Sequence, residues 1–235
     1  MDAVWERPEP TGRAALTPLS RAAIVAAAIR LADAGGLDAA SLRKVGAALD
    51  AGPMRLYGYV ATKDELLDLM VDEVHAEIDV PTGTDWRTTL DAWAHHTRAA
   101  ALRHEWLVDL LGDRPALGPH ALAVGEATLA AVVTRFPAID DARRAITTLR
   151  AYVNGALRAE IGELRAARTT GLDKHDWQAT HGPYLMRVLA EGNHPHVARL
   201  VTDGTDDDPA TVFATGLDIV LTGIATVSRW PPPGA

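Results

Sequence analysis

The sequence predicts an all-α protein, with a small N-terminal three-helix domain followed by a larger helical one. Two observations carry that reading. Alanine and leucine abound while aromatic residues make up only 5% of the chain, and Ala and Leu are among the residues that lose least on entering a helix. Capping residues and Gly or Pro breaks also recur at helical intervals from Ser20 to Pro209. At 235 residues and 48% hydrophobic, the chain holds enough apolar material for one large domain or two unequal ones.

Ser20 is the first candidate N-cap. Ile24, Val25, Ala28, Leu31 and Ala32 follow at helical spacing, and Gly35-Gly36 supply the left-handed residue on which a helix ends. Ser41 caps a second helix, with Leu42, Val45 and Leu49 inward and Arg43 and Lys44 outward. Asp50-Ala51-Gly52 forms a turn, and Pro53 opens a third helix at the position where its missing N–H costs nothing. This helix is expected to run for about two turns, with Leu56 and Val60 facing in and Met54, Arg55, Tyr57 and Tyr59 facing out. Thr62 caps a fourth, which carries Leu66, Leu67, Leu69, Met70 and Val74. After Pro81-Thr82-Gly83, helical patterns resume near Trp86 and continue to about Trp230, with breaks at 112–119, 136–137, 169–183 and 202–209.

Charge divides the same way. Residues 11–63 hold seven basic side chains against three acidic ones, whereas everything after Lys63 holds 15 basic and 25 acidic. A small cationic module on a larger acidic body is the pattern of an anion-binding head. Two short helices joined by a tight turn form a helix-turn-helix, whose second helix is sized for the major groove of DNA. In that arrangement Arg43, Lys44, Lys63 and the tyrosine hydroxyls lie along phosphates, and Arg55 can make a bidentate contact to guanine. The competing reading is a plain four-helix segment in which Tyr57 and Tyr59 cap a core.

Residues 19–74 closely resemble the DNA-binding domain of the TetR (tetracycline repressor) family of transcriptional regulators. The resemblance rests on Ala34 to Arg43, on Leu56-Tyr57-Gly58-Tyr59-Val60, and on Lys63-Asp64-Glu65-Leu66-Leu67. Carried over by position, it implies double-stranded DNA contacts at Ser41, Arg43, Lys44, Pro53, Met54, Arg55, Tyr57, Tyr59 and Lys63. Three positions depart from the family pattern: Asp50-Ala51 replaces the usual Gly-Val, Tyr59 stands where histidine is common, and Gly58 lies within the expected reading helix. Aspartate tolerates the left-handed region better than most residues, and glycine in a helix costs about 1 kcal/mol against alanine. Residues 208–224 and 111–115 resemble, more weakly, the last helix and a loop of the tetracycline-repressor-type C-terminal domain. The implied domains are a flexible tail at 1–16, the helix-turn-helix at 17–66, and a ligand-binding and dimerisation domain at 67–235.

In the acidic body, Gly155 and Gly162 lie seven residues apart, as do Gly216 and Gly223. Helix-interior glycines are costly, so two such stripes indicate backbones that approach closely. With Leu217 and Val220 they are expected to line a homodimer interface across a two-fold axis, the alternative being packing inside one subunit. Trp and His concentrate between 86 and 190, and large aromatics with a few polar groups suit a small-molecule cavity. The candidate lining is Trp93, His96, Thr97, Trp106, Leu110, Tyr152, Asn154, Trp177 and Met186, though any one of these is more ordinarily core or surface. The metal-chelating histidine of tetracycline-binding members falls on Leu110 here, which argues against a magnesium–tetracycline ligand.

No catalytic, nucleotide-binding or metal motif is present, and no cofactor is expected. His95-His96 and His194-Pro195-His196 lack a carboxylate at metal spacing, and Glu160 and Glu163 are expected to form surface ion pairs. The chain has no cysteine, no signal peptide and no obvious spanning segment, so a cytoplasmic protein without a membrane partner is expected. The resemblance implies a ligand-responsive repressor released from a two-fold operator. A sequence-specific regulator with no effector is the alternative, and a helical enzyme using the histidines is a third reading.

Overall fold

A computed structural model of the chain describes residues 3–10, 19–83, 85–112 and 115–227. The head begins with α1 (Arg21–Gly35), a 3-10 turn (Leu37–Ala39), α2 (Leu42–Ala48) and α3 (Pro53–Leu56). Helix α4 (Lys63–His75) leads into a body of α5 (Trp86–Arg103), a 3-10 segment (Glu105–Asp109), α6 (Pro119–Arg135) and α7 (Ile139–Thr170). It closes with α8 (Lys174–Leu189), α9 (Pro195–Asp203) and α10 (Pro209–Thr226). No strand occurs among the described residues.

The caps act where the sequence places them. Ser20 accepts from the Ala23 N–H, Ser41 from Lys44 and Thr62 from Glu65, each satisfying a donor that a helix start leaves unpaired. Glu65 reaches back to the Ala61 N–H at 2.7 Å. Asp50 adopts a positive φ of 50°, the left-handed turn expected where the family has glycine. Ile24, Ala28, Val45, Leu56, Val60, Leu66 and Met70 form the buried centre of the head. That core is continuous with the one built by Leu90, Leu107, Val132, Leu149, Leu157, Phe213 and Leu217 in the body.

Several elements differ from expectation. The third helix stops at Leu56, so Gly58 sits in a turn instead of a helix interior. Residues 3–10 are not a loose tail: Val4 is buried, Arg7 pairs with Glu65 at 2.6 Å, and Glu9 accepts from the Arg21 N–H at the start of α1. The rest of the expected tail, at 1–2 and 11–16, lies outside the described residues, as does Trp230. The break expected over 169–183 is only a short turn around Gly171, and Pro183 lies inside α8. Helix α8 is mostly solvent-exposed, so the carbonyl deprived of a partner by Pro183 can bond to water. Glu160 is no surface ion pair on its own helix; Arg98 of α5 holds it with two bonds of 2.8 and 2.5 Å.

Helix α4 joins the two parts. Leu66, Leu69 and Met70 fill the head core, while Asp72 accepts from the Ala121 N–H of α6 at 2.9 Å. A second bridge runs through His104, whose Nδ1 meets Asp33 of α1 at 2.8 Å and whose Nε2 meets Glu77 at 3.0 Å. Asp33 also accepts from the Trp106 indole at 2.7 Å.

Candidate functional site

Two surfaces carry chemistry, one on the head and one in the body. On the head, Met54 is 82% and Tyr57 48% exposed, and Arg43, Lys44, Arg55 and Lys63 are all exposed. Pro53 opens α3. Ser41 is half-buried, its hydroxyl oxygen used in capping α2. Asp38 stands 3.9 Å from Lys63, with its backbone carbonyl accepting from Lys44. The result is an exposed cationic edge whose short helix presents an arginine and apolar atoms, the equipment for phosphate and base contacts.

Tyr59 is the exception. It is 7% exposed and belongs to the core, with its carbonyl accepting from the Arg21 guanidinium. With α3 ended at Leu56, the chain turns and carries Tyr59 inward beside Val60. Its expected place on the DNA side is therefore corrected.

In the body, a cavity of about 550 Å³ lies among α4, α5, the 3-10 segment, α6 and α7. Of the expected lining, Trp93, Thr97, Leu110 and Asn154 reach it. The other five do not. The Trp106 indole is spent on Asp33, and His96 Nδ1 donates to the Asp79 carbonyl. Tyr152 turns to α10, donating to the Phe213 carbonyl at 2.7 Å. Trp177 and Met186 stand exposed on α8. Sequence reasoning missed Val71, His75, Ile78, Thr147 and Arg150. The signal for Arg150 was available, since it lies four residues before Asn154 on the same helix face; for Val71 and His75 it was not, because the α4 pattern reads as ordinary core.

His75 Nδ1 donates to the Val71 carbonyl at 2.7 Å, which leaves Nε2 as an acceptor in the neutral ring. Burial pushes its pKa down, outweighing the upward pull of Val71 and Asp72, and Arg150 adds to the depression. Because the folded value lies below the ordinary 6.5, the contribution to stability is complete above that pH and is lost as pH falls through the folded value. His75→Gln is expected to flatten the melting-temperature profile between about pH 7 and about pH 5 relative to the unsubstituted protein. Parallel profiles would show that the ring is not held neutral.

A second, polar cleft of about 450 Å³ lies between the end of α1 and α7. Its charges are already matched: Arg165 with Asp109, Arg168 with Glu105, and Arg103 with Glu77. Asp173, His175 and Asp176 are the one group among the described residues that gathers potential metal ligands, and all three are exposed. Asp173 serves there as the N-cap of α8.

Residues 80–228 match the tetracyclin repressor-like C-terminal domain. The chain belongs to the TetR family. This TetR-family chain is 35% identical over 229 residues to the HTH-type transcriptional repressor DrrR1 of Streptomyces coeruleorubidus, covering 95% of the chain and 84% of that relative. Among solved structures, apo ActR from Streptomyces coelicolor superimposes with a TM-score of 0.74 at 27% identity, covering 91% of this chain and all of that one. ActR in complex with actinorhodin gives 0.76 at 26% identity with the same coverage. Head and body thus share the fold of these TetR-family regulators.

Proposed function

We propose that this TetR-family protein is a repressor that binds a two-fold DNA operator as a homodimer and leaves it when a small molecule fills the body cavity. The observation that carries the reading is the course of α4. Its buried residues complete the head core, and its other face supplies Val71 and His75 to the cavity wall. A ligand that displaces that wall moves a helix rigidly packed in the head. The ligand must favour the DNA-incompetent arrangement, with a coupling of about 1–3 kcal/mol typical. ActR, solved in complex with actinorhodin and with (S)-DNPA, supports a small-molecule effector.

The homodimer is supported by apolar surface that one chain leaves open. In α10, Phe213, Leu217, Leu221 and Ile224 are buried, while Val212 and Ile219 are 57% and 66% exposed. Gly155, Gly162 and Gly223 have no atom within 4 Å of where a Cβ would stand. Val220 is half-buried at the margin. Two of the expected interface residues face inward instead. Leu217 is fully buried in its own subunit, and a Cβ on Gly216 would overlap the Tyr152 hydroxyl and lie 2.8 Å from Cζ. Helices α8 and α9 also expose Trp177, Tyr184, Met186 and Leu200.

Fluorescence anisotropy on duplexes tiled from the DNA beside the gene tests the reading. Saturable binding of two protomers to one duplex, at near-physiological salt and above a shuffled control, is the expected result; equal weak binding to all would refute it. Ile219→Arg is expected to give a monomer by sedimentation and to lower operator affinity by at least about 100-fold, since it sets charge into the dimer contact.

A further inference from the structure

The cavity holds a charge that no acidic side chain among the described residues pairs with. Six arginines lie on α7. Arg143, Arg144, Arg165 and Arg168 each pair with a carboxylate, and Arg158 donates to the Val108 and Leu111 carbonyls. Arg150 alone among them has no carboxylate or carbonyl partner among the described residues. Its guanidinium carbon stands 5.9 Å from the centre of the Trp93 ring, and the side chain is exposed and lines the cavity.

No aspartate or glutamate occurs among the described residues lining the cavity. On α4, Asp72 is turned to the Ala121 N–H. Val71, Ile78, Leu107, Leu110 and Val124 make the rest of the wall largely apolar. Crowding by these atoms lowers the Arg150 pKa through desolvation, but a guanidinium keeps its proton in proteins. Arg150 is exposed, so water solvates its charge, and a bound anion would meet it without a competing carboxylate among the described residues. Opposite it, neutral His75 offers an acceptor nitrogen, and Asn154 offers both a donor and an acceptor.

We infer that the effector is an aromatic organic anion, its ionised group on Arg150, its ring against Trp93 and a hydroxyl donating to His75. This rests on the ligand-responsive reading above and adds the chemical class. Negative charge is what the cavity selects; a neutral molecule of the same shape leaves Arg150 uncompensated.

The test uses two fluorescent probes that differ by one sulfonate, 1-anilinonaphthalene-8-sulfonate and N-phenyl-1-naphthylamine, titrated into the full-length protein. The anionic probe is expected to bind saturably, one per chain, and roughly 10- to 100-fold more tightly than the neutral one. Arg150→Met should remove that preference while leaving the neutral probe within about 3-fold, and Arg150→Lys should keep most of it, because it keeps the charge. Circular dichroism melts of both variants establish that they fold. Equal affinity for the two probes, equal loss of both in Arg150→Met, or no saturable anionic binding would overturn the inference. Operator anisotropy with each probe added separates this from the regulatory reading. A charge-selective probe that never releases DNA would leave the anion site standing and count against ligand-driven release, whereas release without charge preference would do the reverse.

Discussion

Gly118→Ala is expected to push α4 away from α6 and to disturb both stability and switching. Gly118 precedes α6 with an ordinary φ of -69°, so alanine meets no backbone strain there. The difficulty is space: a Cβ would overlap the Asp72 carboxyl carbon and stand 2.7 Å from the Asp72 Cβ. Rotating the carboxylate cannot relieve contact with its own Cβ, so the helices must separate. Separation also loosens the bond from Asp72 to the Ala121 N–H. Overpacking of this kind costs about 1–3 kcal/mol, and at this chain length each kcal/mol lowers the melting temperature by about 2–4 °C. Because α4 carries both head core and cavity wall, operator affinity and its ligand response should change together. Gly125→Ala on the same helix is the control. No atom lies within 4 Å of its Cβ position, so it should be neutral or stabilising by up to about 1 kcal/mol. A Gly118→Ala protein as stable as Gly125→Ala would show that α4 and α6 do not need this close approach.

Arg55→Ala is expected to remove sequence preference while sparing general affinity. Arg55 is exposed on α3 and forms no ion pair among the described residues, so its guanidinium is free for a bidentate base contact. Loss of such a contact costs about 1–3 kcal/mol against the operator and little against random duplex. Lys44→Ala, in contrast, should weaken both duplexes alike and reduce the salt slope by about 1, as a phosphate contact does. Anisotropy titrations of both variants on operator and shuffled duplex, at two salt concentrations, decide between the roles. Equal losses on both duplexes for Arg55→Ala would remove it from base reading.

The extent to which the sequence was legible follows from the range of the forces involved. Ser20, Ser41 and Thr62 act on backbone donors three residues away, so their caps, and the helices they start, are readable from local spacing. Asp50 likewise declares its turn through its own backbone preference. The cationic edge of Arg43, Lys44, Arg55 and Lys63 is legible because exposed charge needs no partner to be placed. Tyr59 was misplaced because its direction depends on where α3 stops, and a four-residue helix has too little periodicity to announce its end.

The cavity shows the opposite case. Trp93, Thr97, Leu110 and Asn154 could be named from composition and helical spacing, but Trp106, Tyr152 and His96 have the same composition and point elsewhere. What turned them away are partners distant in sequence: Asp33 for Trp106, Phe213 for Tyr152 and Asp79 for His96. The dimer stripe divided for the same reason, with Gly216 spent on Tyr152 while Gly223 stayed open. The sequence by itself determined the helices, their caps, the charge division and the family resemblance, because these rest on contacts within a few residues or on composition. Only the tertiary structure decided which side chains share the cavity and that Arg150 stands there with no carboxylate partner among the described residues, because both depend on how helices far apart in the chain lie against one another.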